Sequence, residues 1–295
     1  MSNKKPGYTP TLKSAKLRYY LSNGLIYIIL SVLAVIWLLP IVWLVLSSFR
    51  AEPGAFTVGY VIPKGYTLDN YVKLLTDTSQ FNYPRWYLNT FIVAIFSCLI
   101  SSLFVLSVSY AFSRLRFKMR RPMMNVVLVL GMFPGFMSMI AVYHILKAIG
   151  LEQSLVSLII VYSSGAGLSY YIAKGFFDTI PRALDEAATI DGATRNQIFW
   201  KITLPMSKTI ATYTVLTTFI APWVDFIFAS VIMKDNYQNY TIALGLFKML
   251  ERESLYQYFT QFCAGAVLIA IPITILFMCM QRYYVEGVTG GAVKG

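Results

Sequence analysis

Six long apolar runs, each close to the length that crosses a bilayer, decide what this chain can become. They cover residues 25–45, 88–110, 123–146, 154–177, 209–233 and 262–280. A hydrocarbon core about 30 Å thick is crossed by about 20 apolar residues in a helix. Several of the runs meet that length. The expected class is therefore an all-α integral membrane protein with six transmembrane helices. Composition agrees, because only 13% of the 295 residues are charged against roughly 25% in soluble domains. The net charge of +12 would point to nucleic acid in a soluble chain. In a membrane chain, basic residues gather in cytoplasmic loops, so no nucleic-acid partner is expected.

Orientation follows from those charges. Residues 1–24 hold Lys4, Lys5, Lys13, Lys16 and Arg18 with no acid. The run that follows is longer than a signal-peptide apolar region of about 7–15 residues and lacks a small-residue cleavage site after it. It reads as a retained first helix, kinked at Pro40. With the N-terminus inside, 17 of the 25 Lys and Arg fall on inner segments and eight on outer ones. Arg114, Arg116, Lys118, Arg120 and Arg121 crowd one short inner loop. This bias places both termini, and the segment 178–208, in the cytoplasm beneath a cell membrane. The expected organisation is a cytoplasmic N-terminus (1–24), a peripheral first helix (25–48) and an external loop of irregular turns (49–87). A five-helix core (88–282) and a Gly-rich cytoplasmic tail (283–295) complete it.

Signs of chemistry are sparse. No phosphate-binding GxxxxGK[ST] loop, HExxH or GxSxG is present, so neither an enzyme with its own ATPase site nor a resident cofactor or metal is expected. The one clear intramembrane acid is Asp225. A charge at mid-bilayer costs roughly 2.5–3.5 kcal/mol on insertion scales, which leaves it either a structural or interfacial group or a pathway-lining one. His144 falls near the outer end of its run, where a solvated histidine is expected, and Lys174 near the inner end, where its stem reaches the interface. Cys98, Cys263 and Cys279 form no CxxC pair and read as buried small hydrophobes. Gly131 and Gly135 form a GxxxG, read as helix packing or as a moving joint at Pro134; Gly165 and Gly167 read alike. Aromatic belts at the interfaces explain most of the aromatic content, with sugar stacking as the alternative.

The segment 178–208 carries the most local instruction. Thr179 is expected to cap a helix with Pro181 in its first turn, continued by residues 183–190. Asp191-Gly192 breaks it, since Gly192 can take the positive φ that a tight turn needs. Thr194 caps a second helix to about Thr203, and Pro205 precedes the next span. Two readings remain open for this bent pair: an amphipathic linker on the membrane, or a docking element whose Ala187, Ala188 and Ala193 enter a partner's groove between Glu186 and Asp191.

Glu186-Ala187-Ala188, Asp191-Gly192-Ala193 and Ile202-x-Leu204-Pro205 at this spacing resemble the EAA loop of binding-protein-dependent ABC-transporter permeases. Met132-Phe133-Pro134, Lys174-Gly175-Phe176-Phe177, Pro272-Ile273-Thr274, Gln281-Arg282 and the terminal Gly290-Gly291-Ala292-Val293-Lys294-Gly295 are similar to the maltose-type carbohydrate group. The resemblance implies a permease subunit of an ATP-driven oligosaccharide importer, with maltose or maltodextrin as the expected cargo. It implies four kinds of partner: a second permease subunit, two ATP-binding subunits, an extracytoplasmic sugar-binding protein and the membrane lipid. ATP itself would be bound by the partner subunits. By the same resemblance Glu186 to Gly192 seat in an ATPase cleft. Lys248, Glu251, Arg252 and Tyr256 lie where the binding protein is reached, and Gly291, Lys294 and Gly295 extend into the ATPase interface. A secondary transporter is the competing transport class, and the missing intramembrane acid pairs and repeats argue against it. A non-transporting scaffold or receptor is the third reading; it predicts that changes in the loop spare uptake.

Overall fold

Small polar residues recur at helical spacing along 88–110, and this stripe organises the bundle. In the computed structural model, which describes residues 12–54, 60–132, 135–165 and 167–292, α3 (Tyr83–Arg114) is the central helix. Thr90, Ala94, Ser97, Ser101, Val105 and Ser109 are buried along it. Small side chains let neighbouring backbones approach where water offers no driving force between helices. Against α3 pack α6 (Leu155–Ser163), α7 (Gly167–Asp178) and α11 (Lys208–Val224). Several of the buried polar side chains on α3 are bonded to backbone carbonyls, while among the described residues the Ser101 hydroxyl has no partner. Ser97 donates to the Val93 carbonyl at 2.6 Å and Ser109 to that of Tyr170 at 3.0 Å, while the Cys98 thiol reaches the Val215 carbonyl at 3.5 Å.

Asn82 caps α3 by accepting from the Arg85 amide, so Pro84 lies in its first turn and not in an irregular loop. Three helices are long and apolar enough to cross a membrane, or up to six if each bent pair is one span. The three single ones are α1 (Leu12–Ser48), α3 and α14 (Leu255–Ala292). The apolar stretch of α1 is unburied within the chain, and its last turns meet the start of α14, with Trp43 against Phe259.

Three expected spans are broken helices. The run 123–146 is α4 (Arg120–Met132) and α5 (Gly135–Ala148), bent by 106°. The run 154–177 is α6, capped by Ser154, and α7, bent by 41°. The run 209–233 is α11 and α12 (Ile227–Met233), bent by 59°. The GxxxG pair does not act as one face. Gly131 packs on Gly167, where an added Cβ would lie 2.7 Å from the Val127 carbonyl oxygen, whereas nothing lies within 4 Å of Gly135. The residues 133, 134 and 166, which the joint reading also invoked, fall outside the described residues.

The loops hold more structure than their composition announced. Residues 49–87 contain α2 (Asp69–Thr76), anchored because the Asn70 amide donates to the carbonyls of Ser48 and Arg50 at 2.9 and 2.8 Å. Residues 234–261 contain α13 (Ile242–Met249), whose Ile242, Leu244, Leu246 and Met249 are buried. Trp86 pins it: the indole N–H donates to the Tyr237 carbonyl at 2.8 Å, and the ring lies over Gly245, where a Cβ would come within 2.0 Å. At the chain's end the expected 262–280 helix is 38 residues long and runs through Gly290 and Gly291 to Ala292. Lys294 and Gly295 lie outside the described residues. Cys98 and Cys263 are buried as expected, but Cys279 is exposed on α14. His144 is exposed.

Candidate functional site at the turn between the broken spans

The segment joining α7 to α11 stands at the end of the bundle where α3 finishes and α4 begins. It is the bent helical pair, with two local differences. Pro181 itself is the N-cap of α8 (Arg182–Ile190), without a side-chain cap bond. Thr179 does not cap it; the hydroxyl turns back to the Phe176 carbonyl at 2.7 Å and closes α7. Proline already lacks the N–H that a cap would satisfy at that position, so the threonine is free for the preceding helix. At the corner, the amides of Asp191, Gly192 and Ala193 return to the carbonyls of Ala187, Thr189 and Ala188, and Gly192 sits at φ +82°. That is the left-handed closure of a helix C-terminus that glycine makes without strain.

Thr194 begins α9 (Arg195–Ile198) with a full capping box to Gln197. The second helix does not continue as α to Thr203. A π turn, Phe199–Thr203, follows, then α10 (Leu204–Met206) with Pro205 in its first turn. An extra residue in the turn relieves the backbone where Pro205 supplies no donor. Ile202 and Leu204 are half-buried and Pro205 is exposed.

The segment splits into a seated face and a bare one. Asp185 and Ala188, three residues apart on α8, are buried, as are Ile198 and Phe199 beyond the corner. Glu186, Ala187, Asp191 and Gly192 are exposed, and Ala193 is half-buried. Ile190, at the corner's tip, is 86% exposed. Burying a side chain of this size in a complex would contribute about 1.5–3 kcal/mol.

Residues that the sequence reading did not single out hold this segment in place. Arg114, the last residue of α3, is buried and sends Nη2 to the carbonyls of Phe177 and Ile180 at 2.7 and 2.9 Å. Its Nη1 lies 3.5 Å from the Asp185 carboxylate, with the two side chains 2% and 9% exposed. Tyr110 donates to the Arg195 carbonyl at 3.3 Å, and Ser113 to Asp178 at 2.6 Å. Lys174 pairs with Asp178, so it is partnered within the chain. In the sequence Arg114 is one of five cations in a loop and was assigned to topology. The one available signal was the three-residue spacing of Asp185 and Ala188, which puts an acid on the apolar face of a helix. A cavity of about 660 Å³ opens beside the anchor, lined by Arg114, Arg116, Phe117, Arg182, Asp185, Glu186 and Arg195 among others.

At the opposite end, Lys248 pairs with Glu251 at 2.7 Å, and that bonded carboxylate raises the lysine above its usual range. Arg252 and Tyr256 are exposed. Tyr256 also covers Gly54, whose φ of +74° and missing Cβ make room for the ring. The four residues thus share one surface at the turn into α14. Asp225 is elsewhere, at the joint between α11 and α12. It accepts from the Phe228 amide and the Tyr162 hydroxyl, both at 2.9 Å. The helix does not pass through Asp225; it ends at Val224, and the carboxylate caps the next one. Among the described residues no group of His, Cys, Asp and Glu is arranged to hold a metal.

Residues 103–290 match the family model described as binding-protein-dependent transport system inner membrane component. The chain is 36% identical to the galactooligosaccharides transport system permease protein GanQ of Bacillus subtilis, over 96% of this chain and all of that one. It is 31% identical to the maltodextrin transport system permease protein MalD of Streptococcus pneumoniae, over 96% and 99%. Its fold resembles a chain of a bacterial ABC transporter involved in the import of the acidic polysaccharide alginate, with a TM-score of 0.75, 23% identity, and coverage of 94% and 100%.

Proposed function

We propose, from the premise that the chain belongs to the family of binding-protein-dependent transport system inner membrane components, that it is the permease subunit of an ATP-driven oligosaccharide importer. The observation that carries the proposal is the anchored corner: a bent helical pair, seated by Arg114, that presents Glu186, Ala187, Ile190, Asp191 and Gly192 outward. Such an element transmits force. A partner that grips the exposed corner and moves pulls through Asp185 and Arg114 on the end of α3, the helix against which α6, α7 and α11 pack. Each broken span offers a joint at which that motion changes the pathway.

In this reading the three bent pairs each make one crossing, giving six, with both termini in the cytoplasm. The charge bias supports the orientation: the corner shares its end of the bundle with the loop 114–121, five cations and no acid. Two ATP-binding subunits bind and hydrolyse ATP, one of them taking the corner in a cleft. A second permease subunit completes the pathway, and an extracytoplasmic sugar-binding protein docks on the surface of Lys248, Glu251, Arg252 and Tyr256. The end of α14, with Gly291, reaches toward the ATPase interface, and Lys294 and Gly295 belong to the same proposal. Asp225 serves as the cap of α12 and lies beside a hydroxyl-lined cavity of about 330 Å³ that includes Ser101, Tyr162, Thr217 and Thr218.

The cargo is an oligosaccharide. Maltodextrin is the reading that the maltose-type motifs support, and the 36% identity to a galactooligosaccharide permease supports a galactooligosaccharide as the second. The test is to purify the complex, identify the chains that accompany this one, and measure ATP hydrolysis with each sugar and its binding protein. Hydrolysis stimulated by one of the two families supports the proposal. Uptake that survives inactivation of the ATPase subunits refutes it.

A further inference from the structure

A second basic groove lies between the start of α4 and the end of α7, away from the corner's exposed face. It is a cavity of about 420 Å³ lined by Arg120, Arg121, Met124, Asn125, Tyr171 and Lys174. Its walls are tied together, because the Tyr171 hydroxyl donates to the Met124 carbonyl at 2.5 Å. The carboxylate beside it, Asp178, is already engaged by Lys174 and Ser113. Among the described residues neither Arg120 nor Arg121 has an ion-pair partner. Lys174 and, at longer range, Arg120 share the one Asp178 carboxylate, so three cations face a single acid and the groove keeps a net positive charge.

What surrounds the groove says what kind of anion fits. Directly beyond it α4 turns apolar and bare: Met123, Val126, Val129 and Leu130 are 46%, 56%, 56% and 64% exposed. Met119 and Phe117 are exposed on the near side. A soluble anion needs cations but no apolar wall. A lipid needs both, in this order along the helix: cations at the depth of the headgroup, aliphatic side chains at the depth of the acyl chains. Guanidinium groups also suit a phosphodiester, which accepts two parallel N–H bonds from one Arg.

We propose that this groove binds the phosphodiester of an anionic phospholipid, with Arg120 and Arg121 on the phosphate oxygens, Lys174 at the rim, and the acyl chains along the exposed face of α4. The proposal does not depend on the transported solute, and its readout involves neither uptake nor ATP. The full chain, purified with its accompanying subunits, is reconstituted in mixed phosphatidylethanolamine–phosphatidylglycerol nanodiscs, and the lipid retained on release is counted by native mass spectrometry. Wild type retains phosphatidylglycerol in preference to phosphatidylethanolamine, and added inorganic phosphate leaves the retention unchanged. Arg120→Gln/Arg121→Gln/Lys174→Gln loses retention by about fivefold per charge removed, while Lys64→Gln/Lys73→Gln/Arg85→Gln at the opposite end does not. Equal retention of the two lipids by wild type, which needs no variant to fold, overturns the proposal. So does displacement by inorganic phosphate, or an equal loss in the control variant, or no loss in the first.

Discussion

Replacing Arg114 removes the anchor of the corner, and the structure sets the size of the effect. The Arg114–Asp185 charges are 3.5 Å apart and nearly sealed from solvent. At an effective dielectric of about 20 their attraction is about 5 kcal/mol, most of which the desolvation of both groups offsets. The net worth of the pair is therefore small, but the cost of breaking it from one side is not. Arg114→Met strands the Asp185 carboxylate at about 3–5 kcal/mol and leaves the Phe177 and Ile180 carbonyls without a charged donor, about 1.5–3 kcal/mol each at most. Asp185→Asn leaves the cation its two carbonyl partners and costs less. In the double variant no buried charge remains unpaired, so its destabilisation falls short of the sum of the singles by about 2–4 kcal/mol. Denaturant unfolding in mixed micelles, followed by tryptophan fluorescence, measures all three, and Trp200 within the segment reports on the corner. Uptake should fall with Arg114→Met and return in part in the double variant. Additive singles, with a coupling below about 0.5 kcal/mol, would refute the pairing. Normal uptake in Arg114→Met would refute the anchor.

Other expectations test separate parts of the account. Gly192→Ala forces a side chain into φ +82° at about 1–2 kcal/mol. Nothing lies within 4 Å of that position, so Gly192→Asn, which tolerates the conformation, should retain uptake that the alanine variant loses. Gly245→Ala places a Cβ 2.0 Å from the Trp86 ring; overpacking there costs about 1–3 kcal/mol and should lower the thermal midpoint of the purified protein. Asp225→Asn keeps an acceptor for Phe228 and Tyr162 and should preserve uptake, while Asp225→Ala loses the cap at about 0.5–2 kcal/mol. Loss of uptake in the asparagine variant alone would instead assign the charge to the pathway.

How much of this was legible in the residues depends on the length scale of each signal. Helical class came from apolar length, which the bilayer fixes. The corner came from local rules, since Gly192 and Thr194 act within three residues of themselves. The breaks at Asp225-Phe226 and between α6 and α7 were hidden because an apolar run reads the same whether straight or bent. The helix over Ile242–Met249 is hidden in the sequence because its burial depends on Trp86, which is more than 150 residues away in the chain. The anchor was hidden for a related reason. Arg114 lies among cations that mark topology, and Asp185 stands beside the more exposed Glu186. Only the fold brings the two together, 71 residues apart. The family motif covers the exposed residues of the corner, not the buried Arg114 and Asp185 behind them.

The central claim is that the corner is gripped by an ATP-binding subunit, and a cross-link from its tip tests this most directly. Cys98 and Cys263 are buried, so Cys279→Ser leaves little reactive background, and Ile190→Cys then puts one thiol at a position 86% exposed in this chain. A benzophenone maleimide attached to that thiol, photolysed in the membrane-embedded complex, inserts into a neighbouring C–H bond and should join this chain to an ATP-binding subunit. Adding Glu186→Lys should abolish that product without removing the chain from the membrane. Absence of any cross-linked ATP-binding subunit, or a product unaffected by Glu186→Lys, would contradict the account.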